Sequence, residues 1–293
     1  MKHGMASRSA VLIFTLPAIL LFTVFVMYPL AQTFYRSFFD WDGLTPGTFI
    51  FLDNFKEILH DPIFYTSLYN GLFFAVILTI FQFVLGSFLA FALYDHKIFG
   101  KKLLRISYFI PVILSVTVVC QLWMSIYSSQ YGLLNKIFES IGISYRQDWL
   151  SDSHLAIFAV ISVAGWQSMG FMFALIYTAI KSVPEHYFEA AKLEGATKFQ
   201  IHTKITIPLL AETYRMCLMF SVVGGLNAYG QVVLMTNGGP GTSTATLTFA
   251  MFRSAYSLDR FGYGCATAVM LVLECLICIL IINKLVARER ITF

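Results

Sequence analysis

Polar side chains set into apolar runs are the part of this sequence equipped for chemistry. Thr117 and Gln121 stand four residues apart, so a helix places them on one face. Trp166, Gln167 and Ser168 fall in a second run, with Phe171 one turn beyond Gln167 and Ser168, and Ser221, Gly224, Gly225, Asn227 and Tyr229 fall in a third. None of these groups is suited to making or breaking bonds. Hydroxyls and amides hydrogen-bond, aromatic faces stack, and convergent polar groups in an apolar cavity are how proteins hold a small polar ligand. Trp166 or Tyr229 would stack on an apolar face of such a ligand while Gln167 and Asn227 bind its polar groups. The glycines would let the chain bend or a ligand approach the backbone. Ser, Thr and Gly also pack helices together in membranes, and for Thr117 and Ser221 that role is equally open.

Glu274 is the one carboxylate in the middle of an apolar run, where an ionisable group is costly and is a functional candidate by default. As an ion or proton carrier it would serve a secondary transporter. As a buried, neutral or hydrogen-bonded group it would be structural, which is the favoured role. Arg215, at about 1.5 Å rise per residue, lies several ångströms nearer one end of its run and is badly placed to pair with it. Catalytic signatures are missing: no stretch reads GxxxxGK[ST], HExxH or GxSxG, and no Ser/Lys constellation appears. The 6 histidines are scattered and the 5 cysteines fall within or at the edges of apolar runs. No catalytic residue, metal ligand or cofactor is expected in this chain.

The elements that must position these groups are long helices. The 293 residues are 58% hydrophobic and 12% charged, against about 25% charged in soluble domains. Apolar runs recur at about 11–34, 69–94, 106–127, 154–180, 209–235 and 264–287, each long enough to cross a hydrocarbon core of about 30 Å. An all-α integral membrane protein with six transmembrane helices is expected, the fifth interrupted at Gly224-Gly225. The first run exceeds the 7–15 residues of a signal h-region and reads as an uncleaved anchor. Lys2, Arg8, Lys97, Lys101, Lys102, Arg105, Lys181, Lys192, Lys198, Lys204, Lys284, Arg288 and Arg290 share one side, which makes both termini and the 181–208 loop cytoplasmic. The opposite loops hold Arg36, Lys56, Lys136, Arg146, Arg253 and Arg260. The net charge of +4 is therefore a topological bias, and nucleic acid is not an expected partner.

The loop from Lys181 to Pro208 predicts a short amphipathic helix with defined ends. Ser182 is placed as N-cap with Glu185 completing a capping box, Pro184 in the first turn, and Gly195 as a left-handed stop. Ala190 and Ala191 leave a low surface for another protein. Glu189-Ala190-Ala191, Glu194-Gly195-Ala196, Ile205 and Ile207-Pro208-Leu209 resemble the EAA motif of ABC importer membrane subunits, with Glu194 where an Asp is common. Asn237-Gly238-Gly239-Pro240 and the stretch from Arg253 to Tyr263 are similar to the maltose- and raffinose-type sugar permeases.

The resemblance implies a type I ABC importer transmembrane domain with a cytoplasmic coupling helix, in the cell membrane. Its partners would be a second, homologous permease subunit, two cytoplasmic ATPase subunits that carry ATP and Mg, and an extracellular or periplasmic solute-binding protein that delivers a sugar, oligosaccharide or glycoside. Glu189, Ala190, Ala191, Glu194, Gly195, Ala196 and Pro208 would couple to the ATPase. Thr117, Ser168, Phe171 and Ser221 fall at the family's substrate-contact offsets, whereas Gly225 falls where relatives carry a polar contact. The expected organisation is an N-terminal tail, first helix and outer loop over 1–66, a transporter domain over 67–287 and a tail over 288–293. The outer loops at 36–62 (acidic, with Asp40, Trp41, Asp42, Asp53, Glu57 and Asp61) and 237–263 (with a short helix near 247–256) are candidate surfaces for the solute-binding protein.

Overall fold

A computed structural model describes residues 8–95 and 98–286; the expected tail at 288–293 and the basic residues Lys2, Lys97, Arg288 and Arg290 lie outside them. The first run forms α1 (Arg8–Phe22), a π turn over Thr23–Met27 and α2 (Tyr28–Arg36). Every side chain from 13 to 31 is exposed, an apolar surface of the kind that meets lipid or another chain. After it come β1 (Phe39–Asp40) and β2 (Thr48–Phe49), antiparallel with Phe39 opposite Phe49, and then α3 (Asp53–His60). This hairpin of two short strands is a small addition to a helical fold, and it closes on the turn residues Gly43 and Gly47, both at positive φ.

The remaining elements are α4 (Pro62–Asp95), α5 (Lys101–Ile113), α6 (Val116–Tyr127), α7 (Leu133–Ser140), α8 (Ala156–Ser182), α9 (Glu185–Leu193), α10 (Lys198–Ile201), α11 (Ile207–Leu209), α12 (Ala211–Leu226), α13 (Gly230–Thr236), α14 (Leu247–Phe252) and α15 (Phe261–Val286). Among the described residues five helical stretches are long and apolar enough to span a membrane, with α1–α2 and α12–α13 each taken as one stretch, or six if α5 and α6 also count as one. At 34 residues α4 is the longest, about 51 Å by helical rise.

Two expected spans are broken. The run at 106–127 is not one helix but two, α5 and α6, set at 102° to each other. Pro111 weakens the end of α5. Leu114 and Ser115 then adopt extended backbone, and Ser115 caps α6, its hydroxyl accepting from the Val118 N–H at 3.3 Å. The fifth run breaks at Asn227–Tyr229, between α12 and α13, and not at Gly224-Gly225, which stay helical. Gly225 is small for another reason: a Cβ there would lie 2.5 Å from the Ala75 Cα of α4, so two helices touch backbone to backbone.

The chain divides into two compact units, one up to Asp61 together with Met251–Val272 and one from Pro62 to Ala250 together with the chain from Leu273 onward. The expected boundary at 66/67 falls inside α4. In the first unit Gly262 N–H donates to the Trp41 carbonyl at 2.9 Å, Asn54 Nδ2 donates to the Ser37 and Phe39 carbonyls at 2.9 Å each, and Arg260 grips Glu57 with both guanidinium arms at 2.8 and 2.5 Å. In the second unit α8 is the central helix. Its fully buried Val160, Val163, Ile176 and Ile180 belong to two apolar clusters, one shared with Phe74, Val119 and Val232 and the other with Ala90, Phe188 and Cys217.

Candidate functional site

A cavity of about 470 Å³ opens in the second unit between α4, the α5–α6 break, α8, α12 and the start of α13. Six of the nine expected ligand residues line it: Gln167, Ser168, Phe171, Ser221, Asn227 and Tyr229. Three do not. Thr117 and Gln121 share an exposed face of α6, as their spacing predicts, but that face does not line the cavity. Trp166 packs edge-to-face on Trp123, with ring centres 5.6 Å apart, in the apolar cluster beside the cavity.

The polar lining is already paired with itself. Thr79 Oγ1 donates to Ser221 Oγ at 2.9 Å and Ser221 Oγ donates to Gln82 Oε1 at 2.5 Å. Gln82 Nε2 donates to Ser168 Oγ at 2.6 Å, and Ser168 donates to the Ala164 carbonyl at 2.5 Å. One relay thus ties α4, α8 and α12 together. Gln167, 8% exposed, works as a clamp: its Nε2 donates to the Leu114 carbonyl at 3.1 Å and its Oε1 accepts from Gln231 Nε2 at 3.1 Å. That carbonyl has lost its helical partner where α5 ends, so Gln167 satisfies the broken span. Asn227, exposed, donates to the Val223 carbonyl at 2.9 Å. Gln82 and Gln231 were not singled out in the sequence, although an amide inside an apolar run is the same signal that marked Gln167.

No described Asp, Glu, Lys, Arg or His lines the cavity. Gly224 borders it, and a Cβ there would meet nothing within 4 Å. Glu274 is outside the lining, 8% exposed, with neither carboxylate oxygen hydrogen-bonded; it faces α4, where a Cβ on Gly71 would stand 3.8 Å from Oε1.

The second part of the site is the α9–α10 knob. Gly195 has φ +78°, its N–H bonds to the Lys192 carbonyl at 3.0 Å, and the Ala196 N–H bonds to the Ala191 carbonyl at 3.0 Å, a Schellman stop. The start differs from expectation. Ser182 is the last residue of α8 and donates to the Ala179 carbonyl at 2.8 Å, while Pro184 takes the N-cap place without a side-chain cap. The extended backbone forced on Val183 by the following proline ends α8 there. The capping box forms instead at α10, between Thr197 and Gln200. The alanine pair is also split: Ala190 is exposed, but Ala191 is buried with Phe188 against the helices behind it. What the knob presents is Glu189, Ala190, Leu193 and Glu194 on and just after α9, with Leu193 90% exposed, and Phe199 of α10, 76% exposed. Pro208 sits in α11, one turn before α12, where a first-turn proline costs no hydrogen bond.

The acidic outer loop is less free than its sequence suggests. Asp42 closes its own turn by accepting from the Thr45 and Leu44 N–H groups at 2.7 and 2.9 Å, which holds its carboxyl below the usual range. Asp53 pairs with Lys56, Glu57 with Arg260, and Asp61 accepts from the Tyr263 hydroxyl. The Asn-Gly-Gly-Pro turn is pinned from α4 by Asn70 Nδ2, which donates to the Thr242 and Ala245 carbonyls at 3.0 Å each.

Comparison with known proteins places this arrangement of helices in a family. Residues 82–291 match the family model of the binding-protein-dependent transport system inner membrane component. The chain belongs to that family. YurN of Bacillus subtilis (strain 168), a probable ABC transporter permease protein, is 34% identical over 265 residues, covering 89% of this chain and 90% of the relative. The diacetylchitobiose uptake system permease protein NgcF of Streptomyces coelicolor is 30% identical over 280 residues, covering 90% and 79%. In the solved structures, a bacterial alginate ABC transporter in complex with an alginate pentasaccharide-bound periplasmic protein has a chain that superposes with a TM-score of 0.82 at 22% identity, covering 96% of this chain and 94% of that one. The fold is thus that of a type I ABC importer transmembrane domain, and the protein is a multi-pass membrane permease.

Proposed function

We propose that this chain is one of two permease subunits in an ATP-driven importer for an oligosaccharide or related glycoside delivered by a solute-binding protein. The observation that carries this is a cavity of about 470 Å³ lined by amides, hydroxyls, aromatic rings and no described ionisable acid or base other than a phenol. Its size falls in the range of about 300–1,000 Å³ typical of small-molecule pockets. A charged ligand would find no counter-charge there, whereas a neutral polyhydroxylated one would find matching donors and acceptors. The diacetylchitobiose system among its relatives supports the same class.

Coupling runs through the knob. A cytoplasmic ATPase cleft would close over Leu193 and Phe199, with Glu189, Ala190, Glu194, Gly195 and Ala196 at its edge, while Ala191 and Pro208 fix the knob to the helices behind it. ATP and Mg would sit on two ATPase subunits, both termini would face the cytoplasm, and the exposed face of α6 with Thr117 and Gln121 would meet the second permease. The test is uptake into proteoliposomes by the assembled transporter with its solute-binding protein. ATP-dependent entry of a neutral oligosaccharide, with no entry when ATP is withheld, is the expected result. Uptake that collapses with an uncoupler while ATP is held constant would instead favour an ion-coupled carrier built on Glu274, whose buried carboxyl lacks a partner.

A further inference from the structure

Three cations converge where α5 begins and α8 ends. Lys101 and Arg105 are four residues apart on α5, Tyr177 and Lys181 four apart on α8, and so each pair shares a helix face. The Arg105 guanidinium carbon lies 5.0 Å from the centre of the Tyr177 ring, Lys181 Nζ 5.3 Å and Lys101 Nζ 5.9 Å. None of the three forms an ion pair with a described carboxylate. Arg105 Nε is buried without a hydrogen-bond partner. Three like charges around one buried ring repel one another, and an aromatic face offsets only part of that cost. Among the described residues the cluster has no anion.

The same place opens onto an apolar groove. From Arg105 it runs along α5 past Ile106, Phe109, Ile110 and Ile113, with Phe173 and Ala174 of α8 as its other wall, and encloses about 330 Å³. Ile113, at its far end, is 71% exposed. A soluble anion would use the cations and leave the groove empty. A soluble apolar ligand would use the groove and leave the cations unneutralised. One class of molecule uses both.

We propose that this groove is a binding site for an anionic phospholipid, its headgroup phosphate held by Lys101, Arg105 and Lys181 and one acyl chain lying along α5. A guanidinium fork suits a phosphate's paired oxygens, two ammonium groups add point charge, and basic residues at a helix end reach the headgroup layer. The lipid cements the α5–α8 contact just before the knob at α9. This inference needs only that the chain is embedded in a membrane; it does not depend on what the cavity carries.

The experiment uses the complete transporter in mild detergent, a short-chain fluorescent phosphatidylglycerol as probe, and phosphatidylcholine and inorganic phosphate as competitors. Wild type binds the probe, and phosphatidylcholine displaces it poorly. The variant K101Q/R105Q/K181Q weakens binding on the order of 100-fold, while K102Q, an exposed neighbour outside the cluster, leaves it unchanged. Ile110→Trp, which fills the groove and leaves the cations, also weakens it. Size-exclusion profiles and subunit content of each variant match wild type. Equal binding in wild type and the triple variant overturns the site, as does an equal loss in K102Q, which would mark general surface charge. Displacement by inorganic phosphate as effective as by lipid overturns the lipid assignment. Loss of a partner subunit from the triple variant with lipid binding intact overturns it in favour of a protein interface.

Discussion

The cavity and the knob solve opposite problems. In the cavity, Thr79, Ser221, Gln82 and Ser168 satisfy one another, so a ligand must exchange hydrogen bonds that already exist. Such exchange yields modest affinity and fast release, because the net value of a hydrogen bond is only about 0.5–1.5 kcal/mol. On the knob, Leu193 and Phe199 are largely uncovered by the described residues of their own chain. A partner gains there by covering apolar area, at about 25 cal/mol per Å², and gives up little in return. In the proposed importer the cavity would be a seat that lets its cargo leave and the knob a joint that does not.

If that contrast is right, the largest effect comes from the joint. Leu193→Asp should weaken ATPase association by about 2 kcal/mol, roughly 30-fold in affinity, without altering membrane insertion; co-purification of the ATPase at graded concentrations reads it directly. Gly195→Asp should act in the same direction through the backbone, since a side chain at φ +78° is strained. Undiminished ATPase retention in both variants would break the comparison.

The next effect belongs to the seat. Gln82→Leu strands the Ser221 donor and leaves Ser168 without its donor, at a cost of about 1–3 kcal/mol. It should raise the KM for uptake by roughly 10-fold while ATPase association stays as in wild type. A fall in ATPase retention in this variant would mean that the two regions are not separable. The adjacent glycines sharpen the point. Gly225→Ala drives a methyl against Ala75 and should lower thermal stability by about 1–3 kcal/mol. Gly224→Ala meets no neighbour and should change transport alone. Equal melting temperatures for the two would contradict the assigned packing.

Much of the knob was legible in the sequence, because a helix stop is a local device: Gly195 needs only its own φ and the carbonyls of the preceding turn. Its start was misplaced for a local reason too, since Val183, ahead of Pro184, is pushed out of the helix and leaves Ser182 behind. The cavity was half legible. A polar group in an apolar run must go somewhere polar, which located Gln167, Ser168, Ser221 and Asn227. Whether Trp166 faces a ligand or Trp123 depends on how α6 crosses α8, and that follows from the sharp break after Ile113. The split of Ala190 from Ala191 is likewise tertiary, decided by which face of α9 meets the core.

The smallest effect tests whether the far end of α8 bears on either region. Asp152 accepts from the His154 N–H at 2.8 Å and the Leu155 N–H at 3.2 Å, and Gln147 Nε2 donates to its other oxygen at 3.0 Å. The first of these bonds does most to hold its carboxyl below the usual range. A carboxyl depressed in the folded state contributes stability above its ordinary pKa, and that contribution drains away as the pH falls through the lower, folded value. Asp152→Asn keeps an acceptor and loses the charge, so its melting temperature should fall less steeply than wild type between about pH 5 and the acid limit. At neutral pH the two proteins should differ slightly, with KM for uptake and ATPase retention unchanged. Parallel melting curves down to acid pH would show that the charge at Asp152 does not hold the entry to α8. A shift in KM would show that the cavity feels that entry across the length of the helix.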